Sequence, residues 1–176
     1  MKKYIFFLLI FITLTSLQCK KTTPEEQLPP ITTTGANTFG CLVNGNAWLP
    51  YGGWSVPALT VAPIGEKNLE LSIDAYDRKN GALSDISITV VNLKPDTATY
   101  RIYNYLNEGL VYSNGNQDYE PFDTFGVVHI SRCDTVQQII SGTFSFVAYT
   151  DTSRVTAKSV SVTDGRFDLH YPLTIH

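Results

Sequence analysis

From Leu69 to Tyr76 the chain reads Leu-Glu-Leu-Ser-Ile-Asp-Ala-Tyr, with apolar and polar side chains in strict alternation. Successive side chains of a β-strand point to opposite faces, so a strand puts Leu69, Leu71, Ile73 and Ala75 on one buried side. A helix would scatter the same four residues around its surface. Ile86-Ser87-Ile88-Thr89-Val90 repeats the pattern. Gly126 to Arg132 and Ile139 to Tyr149 read as further strands, the second with Ile140, Phe144, Phe146 and Ala148 on one face.

Turn chemistry sets how such strands connect. Asn44-Gly45 lies between two alternating runs, and a type I′ turn needs positive φ at both central residues. The expected register places Val43 opposite Asn46 and Cys41 across from Trp48, with Phe39, Cys41, Val43 and Trp48 facing inward. Asp164-Gly165 predicts a second hairpin by the same rule, pairing Val162 with Phe167 and Val160 with Leu169. Ser159, Ser161, Thr163, Arg166, Asp168 and His170 would then point to water. Ten Tyr and nine Phe against a single Met suit pleated, half-buried surfaces. About ten short strands in series, with no helical periodicity beyond the N-terminus, predict an all-β domain built as an antiparallel β-sandwich or barrel.

The N-terminus follows different rules. Met1-Lys2-Lys3 precedes an apolar run from Tyr4 to Leu14. That run is shorter than the roughly 20 residues a spanning helix needs, and it has the form of a secretory signal. Cys19, followed by Lys20-Lys21, resembles the lipobox of bacterial lipoproteins, although Ser16 and Gln18 stand where Leu and a small residue are usual. The expected organisation is a lipoprotein signal peptide over 1–18, a flexible tether over 19–37 and a single all-β domain over 38–176. The tether assignment rests on Thr, Pro and charge without apolar periodicity. Lipid on Cys19 would hold the protein to the cell envelope, most simply at the outer membrane, on either face. Of the three cysteines, Cys41 and Cys133 then remain. They are either a disulfide closing a loop of about 90 residues, for roughly 4–5 kcal/mol, or two separate buried thiols.

Chemistry is harder to find. A net charge of −3 without a basic stripe lacks the clustered cations that neutralise phosphates, so nucleic acid is not an expected partner. No nucleophile elbow, phosphate loop, metalloprotease helix or zinc-ligand spacing occurs. No catalytic residue, metal or cofactor is therefore assigned. His129, His170 and His176 are the only histidines, and Asp74, Glu108, Asp118 and Glu120 read as surface acids rather than as a glycosidase pair. Tyr100, Tyr103, Tyr105 and Tyr112 make the middle segment aromatic. Exposed, they would stack on sugars or anchor a partner; alternating, they would simply cover a sheet.

The strings TFGCLVNGNAWLP, IISGTFSFVA and VTDGRFDLHY resemble an uncharacterised family of Bacteroidota lipoproteins. The matching residues are Phe39, Cys41, Val43, Asn44 and Gly45, then Ser141, Gly142, Thr143, Phe144 and Phe146, then Asp164, Gly165, Arg166, Phe167 and Asp168. The resemblance implies an exported β-domain and no particular activity. The expected role is a non-catalytic envelope lipoprotein that binds a glycan, a peptide or a neighbouring envelope protein. A purely structural module and a polysaccharide hydrolase are the alternatives.

Overall fold

The computed structural model describes residues 22–62, 70–79, 83–94, 97–103, 109–115, 117–121, 126–151 and 157–176. The leader, Cys19, Leu69, Tyr105 and Glu108 lie outside these residues. Twelve strands form among the described residues. The first six are β1 (Thr38–Val43), β2 (Asn46–Trp48), β3 (Leu59–Val61), β4 (Leu71–Asp77), β5 (Ser84–Val90) and β6 (Ala98–Ile102). They are followed by β7 (Gly109–Asn114), β8 (Gln117–Tyr119), β9 (Gly126–Asp134), β10 (Ile139–Tyr149), β11 (Ser159–His170) and β12 (Leu173–Ile175). Two antiparallel six-stranded sheets result. Sheet A runs β2-β1-β11-β10-β9-β6 and sheet B runs β12-β3-β4-β5-β7-β8. Of the two all-β architectures expected, the sandwich is the one formed.

Period-two burial builds the core. In β4 and β5, Leu71, Ile73, Ala75, Ile86, Ile88 and Val90 are completely buried, with Ile73 opposite Ile88 and Ala75 opposite Ile86. Burying each such large aliphatic side chain is worth roughly 1.5–3 kcal/mol. Sheet A answers with aromatic rings: Phe39 lies 5.2 Å from Phe144 and meets Trp48 edge-on at 6.2 Å. The Trp48 indole N–H donates to Ser84 Oγ at 3.0 Å, joining the two sheets through the ring's only polar atom.

The first hairpin forms in the expected register, with Val43 opposite Asn46 and Cys41 opposite Trp48. Asn44 and Gly45 take φ of 49° and 76°, as a type I′ turn requires.

The second expected hairpin does not exist. β11 runs unbroken through Asp164-Gly165, and Val160 and Leu169 pair with opposite ends of β10, at Ala148 and Ile140. Both flanking strands skip a residue here: Gly40 and Leu42 face Arg166 and Thr163, while Phe144 and Phe146 face Gly165 and Val162. Asp164, at φ 52°, is thus part of a β-bulge. One extra residue switches the buried side from even positions (Val160, Val162) to odd ones (Phe167, Leu169), as a two-residue turn would also have done. Gly165 is required at this point, because a Cβ there would lie 2.5 Å from the Phe144 carbonyl oxygen.

Cys41 and Cys133 are both free thiols, which corrects the disulfide alternative. They lie on β1 and β9, with β11 and β10 between them. Three strand spacings amount to about 14 Å, twice the roughly 7 Å over which a disulfide can reach. Burial pushes the Cys41 thiol far up, leaving it a small core hydrophobe. Burial, then the charge of Asp134, raises Cys133 as well.

The end of the expected tether is not free. Leu28 is buried, and residues 28–37 lie as a strap over the outer face of sheet A. The contacts were hidden because most of them are backbone groups of the strap meeting side chains far along the chain. Before it, a 3-10 turn (Glu25–Gln27) is tied by reciprocal bonds between Thr23 and Glu26, the pairing of a capping box.

Candidate functional site

The strap is held by one carboxylate. Asp168, expected to face water, is only 1% exposed. It accepts hydrogen bonds from Thr32 Oγ1 (2.6 Å), the Thr34 N–H (2.9 Å), the Gly35 N–H (2.8 Å) and the Ala36 N–H (3.1 Å). Thr34 Oγ1 (3.2 Å) and, from β10, Ser141 Oγ (2.7 Å) complete the set. Burial works to raise this carboxyl, yet the bonds from Thr32, Ser141, Gly35 and Thr34 outweigh it and hold it well below the ordinary range. A carboxylate this fully engaged is a clamp and has no lone pair to spare for a reaction. Arg132 adds a bond to the Thr33 carbonyl at 2.6 Å. His170, also expected to face water, is half-buried against Gly35, where a Cβ would come within 2.3 Å of the imidazole.

Beside the clamp lies a groove of about 250 Å³. Its floor is the bulge, and its sides are Val127 from β9, Thr143 and Ser145 from β10, Asp164 and Arg166 from β11, and Ile31 from the strap. Cross-strand pairing sets these side chains in rows. Arg166 stands opposite Thr143 and Thr143 opposite His129, while Ser145 stands opposite Val127. Arg166 is steadied on two sides, its Nε donating to the Asp164 carbonyl (3.0 Å) and Nη1 to the Pro29 carbonyl (3.4 Å). Among the described residues, Nη2, both hydroxyls and the Asp164 carboxylate have no protein hydrogen-bond partner. Ile31, 61% exposed, forms an apolar wall with Val127.

The groove therefore offers a fixed donor, a fixed acceptor, two hydroxyls that act as either, and an apolar side. Such a set suits a ring bearing several hydroxyls on an otherwise C–H surface. Its volume lies just under the roughly 300 Å³ at which drug-sized pockets begin, the scale of a single ring.

The tyrosines singled out from sequence do not gather here. Tyr112 is buried in the core of sheet B, 5.8 Å from Tyr119, and burial raises its phenol. Tyr100, on β6, packs partly buried against the core and accepts a bond from the Lys94 N–H at 2.7 Å. Tyr103 is 38% exposed, and Tyr105 lies outside the described residues. Asp74 on β4 and Asp118 on β8 are also three strand spacings apart, about 14 Å, beyond the roughly 5–9.5 Å of glycosidase pairs. They accept from Ser87 and Ser113 respectively. His129 bonds Thr99 Oγ1 at 2.9 Å. Sequence reasoning missed both the clamp and the groove although the strings quoted above hold Ser141 and Asp168 of the clamp and Thr143, Ser145, Asp164 and Arg166 of the groove.

What the fold defines is an all-β sandwich with one strapped outer face. No family model, no curated protein and no solved structure matches this chain.

Proposed function

We propose that this protein is a non-catalytic, lipid-anchored protein of the cell envelope that binds a saccharide in the groove between the strap and β9–β11. The observation that carries the reading is the set of uncommitted groups around Arg166. A guanidinium nitrogen, a carboxylate and two hydroxyls converge beside an apolar wall, on a rigid sheet rather than on loops. Sugar hydroxyls donate to Asp164 and accept from Arg166, while the C–H face of the ring lies against Val127 and Ile31. Fixing Arg166 in advance lowers the ordering cost of binding.

The reading is tested by titrating the purified protein with a panel of neutral and acidic mono- and disaccharides, followed calorimetrically. At least one should bind, and Arg166→Ala should weaken it about tenfold or more, the loss expected for a charge-assisted bond. Thr143→Val should weaken it less. Absence of binding across the panel, or equal affinity in the Arg166 variant, would refute the site.

A further inference from the structure

We infer that the edge of the sandwich formed by β2, β12 and residues 49–58 rests on the interface of the lipid bilayer. The inference relies on the lipid anchor at Cys19 proposed above, and it concerns a surface separate from the saccharide groove.

Three large hydrophobic side chains stand exposed within six residues along this edge. Leu49 is 41% exposed, Tyr51 56% and Trp54 105%, the last at the tip of a turn closed by the Gly53 N–H on the Val56 carbonyl at 2.9 Å. A second groove, of about 320 Å³, opens beside them. Its walls include Pro29, Leu49, Pro50, Ala58 and Ile175, with Gln27 and Asn37 at its polar margin. A Trp entirely in water is an unfavourable use of the residue, whereas Trp and Tyr are the side chains that settle at membrane interfaces.

The first described residues of the chain lie at this same edge. The 3-10 turn lies against β2, and Gln27 lines the groove. Cys19 precedes Glu25 by six residues, a reach of about 20 Å at full extension. Were the chain free up to Thr38, nineteen residues would span about 65 Å. The clamp at Asp168 thus converts a long tether into a short one and keeps the aromatic edge beside the lipid. Lys20 and Lys21 are accompanied by Glu25 and Glu26, so docking depends on apolar contact and should withstand salt.

The test uses the two tryptophans. Trp48 is buried and Trp54 bare, so iodide quenching reports Trp54 alone. The full lipidated protein is placed in phosphatidylethanolamine–phosphatidylglycerol vesicles and compared with soluble Cys19→Ala protein. On vesicles, Trp54 emission should shift to the blue, iodide quenching should fall about twofold and brominated lipid should quench, as for a ring in the interfacial layer. Trp54→Phe should abolish all three changes. Protein that floats with vesicles while Trp54 stays iodide-quenched and indifferent to brominated lipid overturns the docking inference and leaves the anchor intact. Protein that does not float and has no diacylglyceryl group on Cys19 by mass spectrometry overturns the anchor, and the docking with it. Concentration-dependent shielding of Trp54 in the soluble variant would assign the edge to a second copy instead, also overturning docking.

Discussion

On the outer face of sheet A, Ser141 and Asp168 are buried beneath the strap; on the outer face of sheet B, a row of comparable polarity has no such cover among the described residues. That row crosses five strands as Thr174, Thr60, Asp74, Ser87 and Val111. Each face carries an outward aspartate with a serine beside it on the adjacent strand: Asp168 with Ser141, Asp74 with Ser87. Among the described residues, Asp74 receives one bond, from Ser87 Oγ at 2.7 Å. Asp168 receives six. The residue pair is the same, and what differs is whether another stretch of chain lies over it. Cover turns a solvated pair into a structural centre, because each donor that reaches a carboxylate shielded from water counts for more than one competing with it.

The comparison fails most visibly if the strap is dispensable. Starting the chain at Thr38 removes the buried Leu28 and five of the six bonds to Asp168, uncovering that carboxylate and leaving Ser141 as its one protein donor among the described residues. The expected loss is about 5 kcal/mol or more, a large share of the roughly 5–15 kcal/mol that holds a domain together. Thermal denaturation followed by circular dichroism should show a much lower Tm, or aggregation. A chain starting at Thr22 should melt like the longer one. Equal Tm values for the two truncations would mean that the strap merely lies on the surface.

A sharper cut is Asp168→Ala, which spares the backbone of the strap. It should cost about 3 kcal/mol and lower Tm by roughly 6–12 °C. Linkage gives the effect a pH signature. Because the folded carboxyl is held below its unfolded value, its contribution is complete above about pH 4 and disappears as pH falls through the lower folded value. Asp168→Asn removes that titration. Denaturant midpoints of the parent and the Asn variant should therefore differ most near neutrality and converge in acid. A gap that is constant with pH would mean that Asp168 does not hold the strap as a charge.

The two faces were also unequally legible. Burial on β4 and β5 follows directly from alternation, since Ile73 and Ile88 can face only one way once the neighbouring polar residues face the other. Sheet order does not follow, because period two says nothing about which strands are neighbours. At Asp164-Gly165 the parity switch was legible and its cause ambiguous: a turn and a bulge both exchange even for odd positions. What decided was β10 on one side and β1 on the other, each long enough to pair with β11 past the switch. The strap was least legible, because three of its donors to Asp168 are backbone N–H groups that any sequence would have. The one available sign was a carboxylate between Phe167 and Leu169, flanked in the folded protein by the threonines of the 32–34 run. The groove inherits this difficulty: Thr143, Ser145 and Arg166 read as outward positions and Asp164 as a turn residue, but Ile31 becomes its wall only once the strap is in place.

The smallest effect is expected on sheet B, and it is the most exacting check of the comparison. Ser87→Ala removes the single bond to Asp74, and Thr60→Ala trims the neighbouring position of the row. Both side chains are half-exposed, so water replaces what is lost, and each change should fall within about 0.5 kcal/mol of zero. Ser141→Ala makes the equivalent deletion under the strap, where water cannot replace the hydroxyl, and should cost about 1–2 kcal/mol. The ratio between these serine variants, measured by urea denaturation, isolates cover from chemistry. If Ser87→Ala proved as costly as Ser141→Ala, the outer face of sheet B would have to be shielded too, and its occupant would become the next thing to find.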